Sequence, residues 1–141
     1  MDASGETLRL ALDAHPYLVK PNRDEAEQLL GIEVSDSSGI EAARRIHTLG
    51  ARLGVVSLDA GGAAAVWDGG EVFVRAPQIS VVNAVACGDA FLAGCASALL
   101  SDAAPPDMIR WGVAAGSANA LVGGARITRA EVERLCGEIP L

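Results

Sequence analysis

An α/β layered fold with a mainly parallel sheet is what this sequence predicts, on three observations. Short apolar runs, Tyr17-Leu18-Val19 and residues 53–58, alternate with segments whose apolar residues recur at helical spacing. Three polar or Gly-rich loops, at 20–25, 57–62 and 83–89, come after expected strands. In folds of this class the ligand crevice lies at the C-terminal ends of the strands, so all three loops are expected on one rim. Finally, 141 residues at 50% hydrophobic and 21% charged are one ordinary domain's worth of chain with enough apolar surface for a core.

Each element has its own local signal. Residues 6–13 place Leu8 and Leu12 on one helical face, and His15-Pro16 ends that helix, because the residue before proline avoids the helical region. Tyr17-Leu18-Val19 is a short strand. After the Lys20-Pro21-Asn22 loop, residues 23–30 read as a helix closed by Gly31. Ser35 to Ser38 offer caps for a further helix, with Ile40, Ala43, Ile46 and Leu49 inward and Gly50 as its stop. Residues 53–58 form a buried strand, Gly61-Gly62 turns the chain, and 64–67 pairs with 72–75 across Asp68-Gly69-Gly70 as a hairpin. A loop at 77–87 leads to a helix over 89–100 with Phe91, Leu92, Cys95, Ala98 and Leu99 on one side. Pro105-Pro106 opens a helix running to about Val122, and Thr128 begins the last helix with Glu131 in capping position.

The formal net charge of −7 argues against a nucleic-acid surface, which needs a basic stripe. It leaves room for an anionic ligand, because backbone N–H groups and a metal hold phosphates locally. Cys87, Cys95 and Cys136 are an odd, scattered set without metal-ligand spacing, as suits a reducing cytoplasm. No basic segment followed by an apolar run opens the chain, and no apolar stretch is long enough to span a bilayer, so neither secretion nor membrane insertion is expected.

The stretch Asn83 to Leu100 carries the sharpest chemistry. Small residues Ala86-Cys87-Gly88 lead into Asp89 where an apolar helix pattern begins. Little side-chain bulk exposes backbone N–H groups at a helix start, which makes an anion site beside a carboxylate. A general base there would suit phosphoryl transfer, although the helix dipole alone favours Asp in a first turn. Asn22 and Glu25 stand three apart at a helix start. They read as a capping box, or as an amide and a carboxylate near phosphates and Mg2+. Ser57 to Gly62 reads as a turn into the hairpin, or as a loop whose glycines let backbone approach a nucleotide. It is not a Walker A loop, and no G-x-G-x-x-G is present. Cys87 at a helix N-terminus is a candidate nucleophile without an evident partner. Asn119, in register with Trp111 and Ala115, reads as a satisfied core amide. His15 reads as a connection residue beside a proline, and His47, on an amphipathic helix, as surface or core-edge packing.

In this order KPNRDE, SLDAGG and NAVACGDAF, with AAGSANALVGGAR behind them, resemble the C-terminal half of a PfkB (ribokinase-like) carbohydrate kinase. The similarity is greatest to the phosphofructokinase and tagatose-6-phosphate kinase branch and covers essentially the whole chain. The resemblance implies a partial ribokinase-like three-layer αβα sandwich and ATP-dependent phosphoryl transfer to a hydroxyl of a sugar phosphate. It implies Asp89 as the general base, with the amides of Ala86, Cys87 and Gly88 as the anion hole. It implies Asn22 and Glu25 as support for Mg2+ and phosphate, with Lys20 near the nucleotide. Ser57, Asp59 and Gly62 fall in the loop lining the ATP site, and Ser117 is a nucleotide contact. Gly124 and Arg126 fall in a segment that binds a monovalent cation, K+, in some relatives.

Two substitutions depart from the family pattern. Ala-Cys-Gly stands where Gly-Ala-Gly is expected, which adds a methyl at Ala86 and an oxidisable thiol at Cys87. Asp59 stands where glycine is expected, adding a negative charge beside a polyphosphate. Family members are about twice this long, consistent with a larger single α/β domain. Residues 1–141 are therefore expected to be the nucleotide-binding half, without the N-terminal sugar-binding half and lid. That arrangement predicts an exposed sheet edge and either dimerisation or association with the missing half. The alternative expectation is a nucleotide-binding or interaction module without catalysis.

Overall fold

The computed structural model describes residues 5–122 and 126–141. The chain divides into two compact units, Met1–Phe73 and Val74–Leu141.

The first unit is built on a four-stranded mixed sheet in the order β1-β2-β3-β4. Its elements are α1 (Gly5–Leu12), β1 (Leu18–Val19), α2 (Arg23–Leu30), α3 (Gly39–Thr48), β2 (Leu53–Ser57), a 3-10 turn (Asp59–Gly61), β3 (Ala63–Trp67) and β4 (Gly70–Val74), whose last residue crosses into the second unit. β1 runs parallel to β2, with Leu18 opposite Leu53 and Val19 opposite Gly54. β3 is antiparallel to β2, with Leu53 opposite Trp67 and Ser57 opposite Ala63. The parallel pairing expected of an α/β fold is thus carried by β1 and β2, and the hairpin widens the sheet with antiparallel strands, because a turn as short as Asp68-Gly69 reverses the chain.

Packing explains the pattern. α3 lays Ala42, Ala43 and Ile46 against β2 and β3, and Leu8, Leu12, Val56 and Leu58 complete the same buried cluster. Each large aliphatic side chain buried this way contributes about 1.5–3 kcal/mol. Gly54 in β2 is required by closeness, since a Cβ there would stand 2.5 Å from the Ala43 carbonyl oxygen. Gly31 ends α2 in the left-handed conformation at φ 65, with its N–H on the Glu27 carbonyl, as the sequence predicts. Ser38 differs from expectation. It precedes α3 but makes no cap bond, because its ψ of 1 turns it from the extended geometry a cap needs, and its hydroxyl accepts the Ser35 N–H instead. Leu49, expected inward, is 42% exposed, because α3 has already ended at Thr48.

The second unit comprises α4 (Cys87–Leu99), α5 (Pro105–Leu121) and α6 (Arg129–Glu138). α4 and α5 pack closely through small residues. A Cβ at Gly94 would meet the Trp111 carbonyl oxygen at 2.6 Å, and one at Gly112 would meet Cys95 Sγ at 2.7 Å. Phe91, Cys95 and Ala98 of α4 are buried as expected, whereas Leu99 is 41% exposed. Pro105 supplies the fixed φ of a helix start, and Thr128 and Glu131 form a reciprocal capping box on α6. Among the described residues no helix is long and apolar enough to cross a membrane.

Candidate functional site

In the first unit the parallel pairing of β1 and β2 sets two of the loops side by side. The bond from the Ser57 N–H to the Pro21 carbonyl (3.1 Å) and a parallel bridge between Asn22 and Ser57 continue the register past the strand ends. Lys20 is buried, at 3% exposure, and its Nζ donates to Ser57 Oγ at 3.3 Å. An ammonium is therefore held against a hydroxyl where two parallel strands end, the place where α/β sheets bind ligands.

Asn22 and Glu25 form a capping box with both bonds at 2.9 Å: the Glu25 N–H donates to Asn22 Oδ1 and the Asn22 N–H donates to Glu25 Oε2. The cap reading of this pair is thus realised, and it fixes the carboxylate at the mouth of α2 with Oε1 outside the cap. The neighbouring loop is tied down by Arg23. Its guanidinium donates to the Val34 carbonyl (3.2 Å), Asp36 Oδ1 (2.9 Å) and the Leu58 carbonyl (3.4 Å), with Asp59 Oδ2 3.8 Å from Nε. Asp59 sits in the left-handed region at φ 51 with its side chain 79% exposed, and the Gly62 N–H donates to its carbonyl. The charge at position 59 is therefore turned to solvent and to Arg23. Sequence reasoning missed Arg23. Its signal was a long planar donor immediately after the cap, which can bridge several acceptors at once.

The second unit holds the turn before α4. Ala86 is the N-cap in the left-handed conformation at φ 62 and ψ 13, and α4 begins at Cys87, so Asp89 lies exposed in its first turn. The helix starts two residues earlier than its apolar pattern does. Ala86, Cys87 and Gly88 are half-buried; the Cys87 N–H donates to the Ala84 carbonyl at 3.4 Å and the Ala90 N–H to the Ala86 carbonyl at 3.0 Å, so Gly88 and Asp89 carry the first-turn amides without a helical partner that are available to an anion. Val85 N–H donates to Asn83 Oδ1 at 2.9 Å, and the Val82 and Asn83 N–H groups donate to the Ala120 carbonyl at 2.8 and 3.2 Å. Asn119, 1% exposed on α5, donates from Nδ2 to the Val85 carbonyl at 2.7 Å and to Cys87 Sγ at 3.5 Å. It is the satisfied amide the sequence predicts, and its acceptors belong to the turn before Asp89. Ser117 is buried on the same helix, Arg126 is exposed, and Gly124 lies outside the described residues.

Two of the electrostatic effects outside these loops bear on capping and on thiol chemistry. The Thr128 N–H and hydroxyl, donating to Glu131, hold its carboxyl below the ordinary glutamate range. Burial pushes the Cys136 thiol up, so it is an inert core thiol. His47, predicted at the surface or a core edge, donates from Nδ1 to the Ala51 carbonyl (2.7 Å) and places Nε2 3.2 Å from Asp68.

Comparison with known proteins places these loops in a family. Residues 1–131 match the description pfkB family carbohydrate kinase. The chain is 34% identical over 128 residues to the 1-phosphofructokinase of Haloferax volcanii, covering 90% of this chain and 42% of that protein. Two solved structures of phosphofructokinase-2 from Escherichia coli, one in complex with substrates and products and one with potassium, superpose at TM-scores of 0.87 and 0.86. Each is 32% identical and covers 96% of this chain and 45% of the solved chain. The chain thus spans less than half the length of these relatives. On the match over residues 1–131 and the shared fold, it belongs to the pfkB family of carbohydrate kinases.

Proposed function

We propose that this chain is the nucleotide-binding, C-terminal half of an enzyme that transfers a phosphoryl group from ATP to a hydroxyl of a sugar phosphate. The observation that carries the reading is the turn before α4, with left-handed Ala86, first-turn amides without helical partners, and exposed Asp89 at the helix mouth. Phosphoryl transfer needs positioning and charge stabilisation more than covalent chemistry. The amides of Ala86, Cys87 and Gly88 stabilise charge on the transferred group, helped by the positive end of α4. Asp89 accepts the proton of the attacking hydroxyl. Lys20, Ser57, Asp59 and Gly62 in the first unit, and Ser117 in the second, are the residues we assign to nucleotide binding on the family resemblance.

The residues present fit a hydrated Mg2+, which keeps several waters and is held through few carboxylates. Glu25, with one oxygen in the cap and the other outside it, is the hard oxygen donor that would hold the ion's waters. When bound, Mg2+ supplies neutralisation of phosphate charge. Arg126 and Gly124 belong to a segment we assign to a monovalent cation, K+, supported by the potassium complex of a relative. Cys87, Cys95 and Cys136, which form no disulfide with one another, support a cytoplasmic site of action. The place of β1 at one end of the strand order supports dimerisation or association with an N-terminal half.

Isothermal titration with Mg-ATP tests the nucleotide site: saturable binding is expected, and no heat at millimolar ligand overturns it for this chain. Turnover assays on fructose 1-phosphate, fructose 6-phosphate and tagatose 6-phosphate test the chemistry, in the presence of any complementing half. Loss of turnover in Asp89→Asn with Mg-ATP binding intact is the expected result. The share of the relatives that the chain spans favours a second reading, a nucleotide-binding module without catalysis. Binding without turnover on any of the three sugars selects it.

A further inference from the structure

We propose that Asn119 is a positioning residue, the clamp that holds the turn before α4 in its anion-binding conformation. The anion-binding part rests on the phosphoryl-transfer reading above. Two donors of a single carboxamide bracket one residue. Nδ2 meets the Val85 carbonyl at 2.7 Å, immediately before Ala86, and Cys87 Sγ at 3.5 Å, immediately after it. The bracketed residue is the one with a strained backbone, since alanine at φ 62 sits where its Cβ crowds the following carbonyl. Such a conformation persists only where its surroundings hold it. α5 supplies a second hold one residue further on, where the Ala120 carbonyl takes the Val82 and Asn83 N–H groups. Helix α5 therefore offers both a donor and an acceptor to residues 82–87.

The consequence for chemistry runs through the backbone. The φ and ψ of Ala86 set the direction in which the first amides of α4 point and where Asp89 stands. If Ala86 relaxed to an extended conformation, the amides of Gly88 and Asp89 would swing away together. Asn119 touches no reacting atom. It acts on catalysis by fixing the Val85–Ala86 peptide at the start of the anion hole, and an alanine there would leave the Val85 carbonyl without its Asn119 donor.

The test is amide hydrogen exchange by NMR on the full chain, with Mg-ATP affinity measured alongside. In Asn119→Ala, exchange of the amides at 85–89 rises about tenfold or more while those at 108–115 in α5 keep their wild-type rates. Mg-ATP affinity falls about tenfold with it. In an Ala86→Gly background the left-handed turn no longer needs holding, so the same substitution changes exchange by less than about threefold. Faster exchange spread evenly through α5, unchanged exchange at 85–89, or an equal effect in the glycine background overturns the proposal. If the exchange pattern is as expected and the wild-type chain binds no Mg-ATP, the clamp is supported and the phosphoryl-transfer reading falls. Should Asn119→Ala fail to fold, Asn119→Asp, equal in volume but without the donors, supports the same comparison.

Discussion

Gly94 lies directly beneath the backbone of Trp111: a methyl group at position 94 would stand 2.6 Å from the Trp111 carbonyl oxygen and 2.8 Å from Ala115 Cβ. Two helices this close tolerate no added volume, because both obstructing atoms are rigidly placed. Gly94→Ala is therefore expected to destabilise by about 1–3 kcal/mol despite the better helix propensity of alanine. Urea unfolding checks the value, and Gly137→Ala is the control. Position 137 is exposed on α6 with nothing within 4 Å of a new Cβ, so that change is expected to stabilise by about 0.5–1 kcal/mol.

Ala86 supplies the opposite case. At φ 62 its own methyl is the source of strain, and glycine removes it. Part of the gain is offset by the greater freedom of glycine in the unfolded chain, so Ala86→Gly is expected to stabilise by about 0.5–1 kcal/mol. Ala86→Val, with a β-branched side chain, is expected to destabilise by about 1–3 kcal/mol. Thermal midpoints of the pair check the sign, and equal midpoints would contradict the left-handed turn.

Arg23 gathers the Val34 carbonyl, Asp36 and the Leu58 carbonyl onto one guanidinium. Arg23→Ala is expected to cost about 1–2 kcal/mol and to speed exchange of the amides at 58–62. Arg23→Lys should recover little of this, because a single ammonium cannot span acceptors arranged for a planar fork.

The capping box of α6 makes a pH prediction. The Thr128 N–H and hydroxyl lower the Glu131 carboxyl in the folded state. A lowered folded value means that the cap's contribution is fully present above the ordinary glutamate range and is lost as pH falls through the depressed folded value. α6 is therefore expected to fray on the acid side of that range while remaining pH-independent near neutrality. In Glu131→Gln the acid-side change in α6 amide shifts disappears. A profile unaltered by that substitution would assign the fraying to another group.

Asp89 is exposed, so its role is separable from stability. Asp89→Asn is expected to leave the unfolding free energy within about 0.5 kcal/mol of wild type, as surface changes do. Circular dichroism melts check this. A large loss of stability would make Asp89 a structural residue of the helix start.

Much of this was legible in local chemistry. Gly31 after an apolar run, Pro105 at a helix start, and Thr128 with Glu131 three residues later are signals that depend on bonds within a few residues. They appear as sequence predicts. So does the Asn22–Glu25 box, whose capping bonds are realised in full. The ordered loops also carried the family, because backbone approach to a phosphate constrains residue size at fixed positions along the chain.

What sequence could not deliver involves partners distant along the chain. Nothing local says that Asn119 reaches Val85, that Arg23 closes on Leu58, or that Lys20 is buried against Ser57. Nor does any pattern announce left-handed Ala86, since alanine adopts that conformation only when other residues hold it there. By itself the sequence determined the elements, the caps of α2 and α6 and the family, all set by short-range sterics and hydrogen bonding. Only the tertiary structure decided which loops adjoin and which side chains hold a strained turn, because those choices are made by packing between residues far apart in the chain.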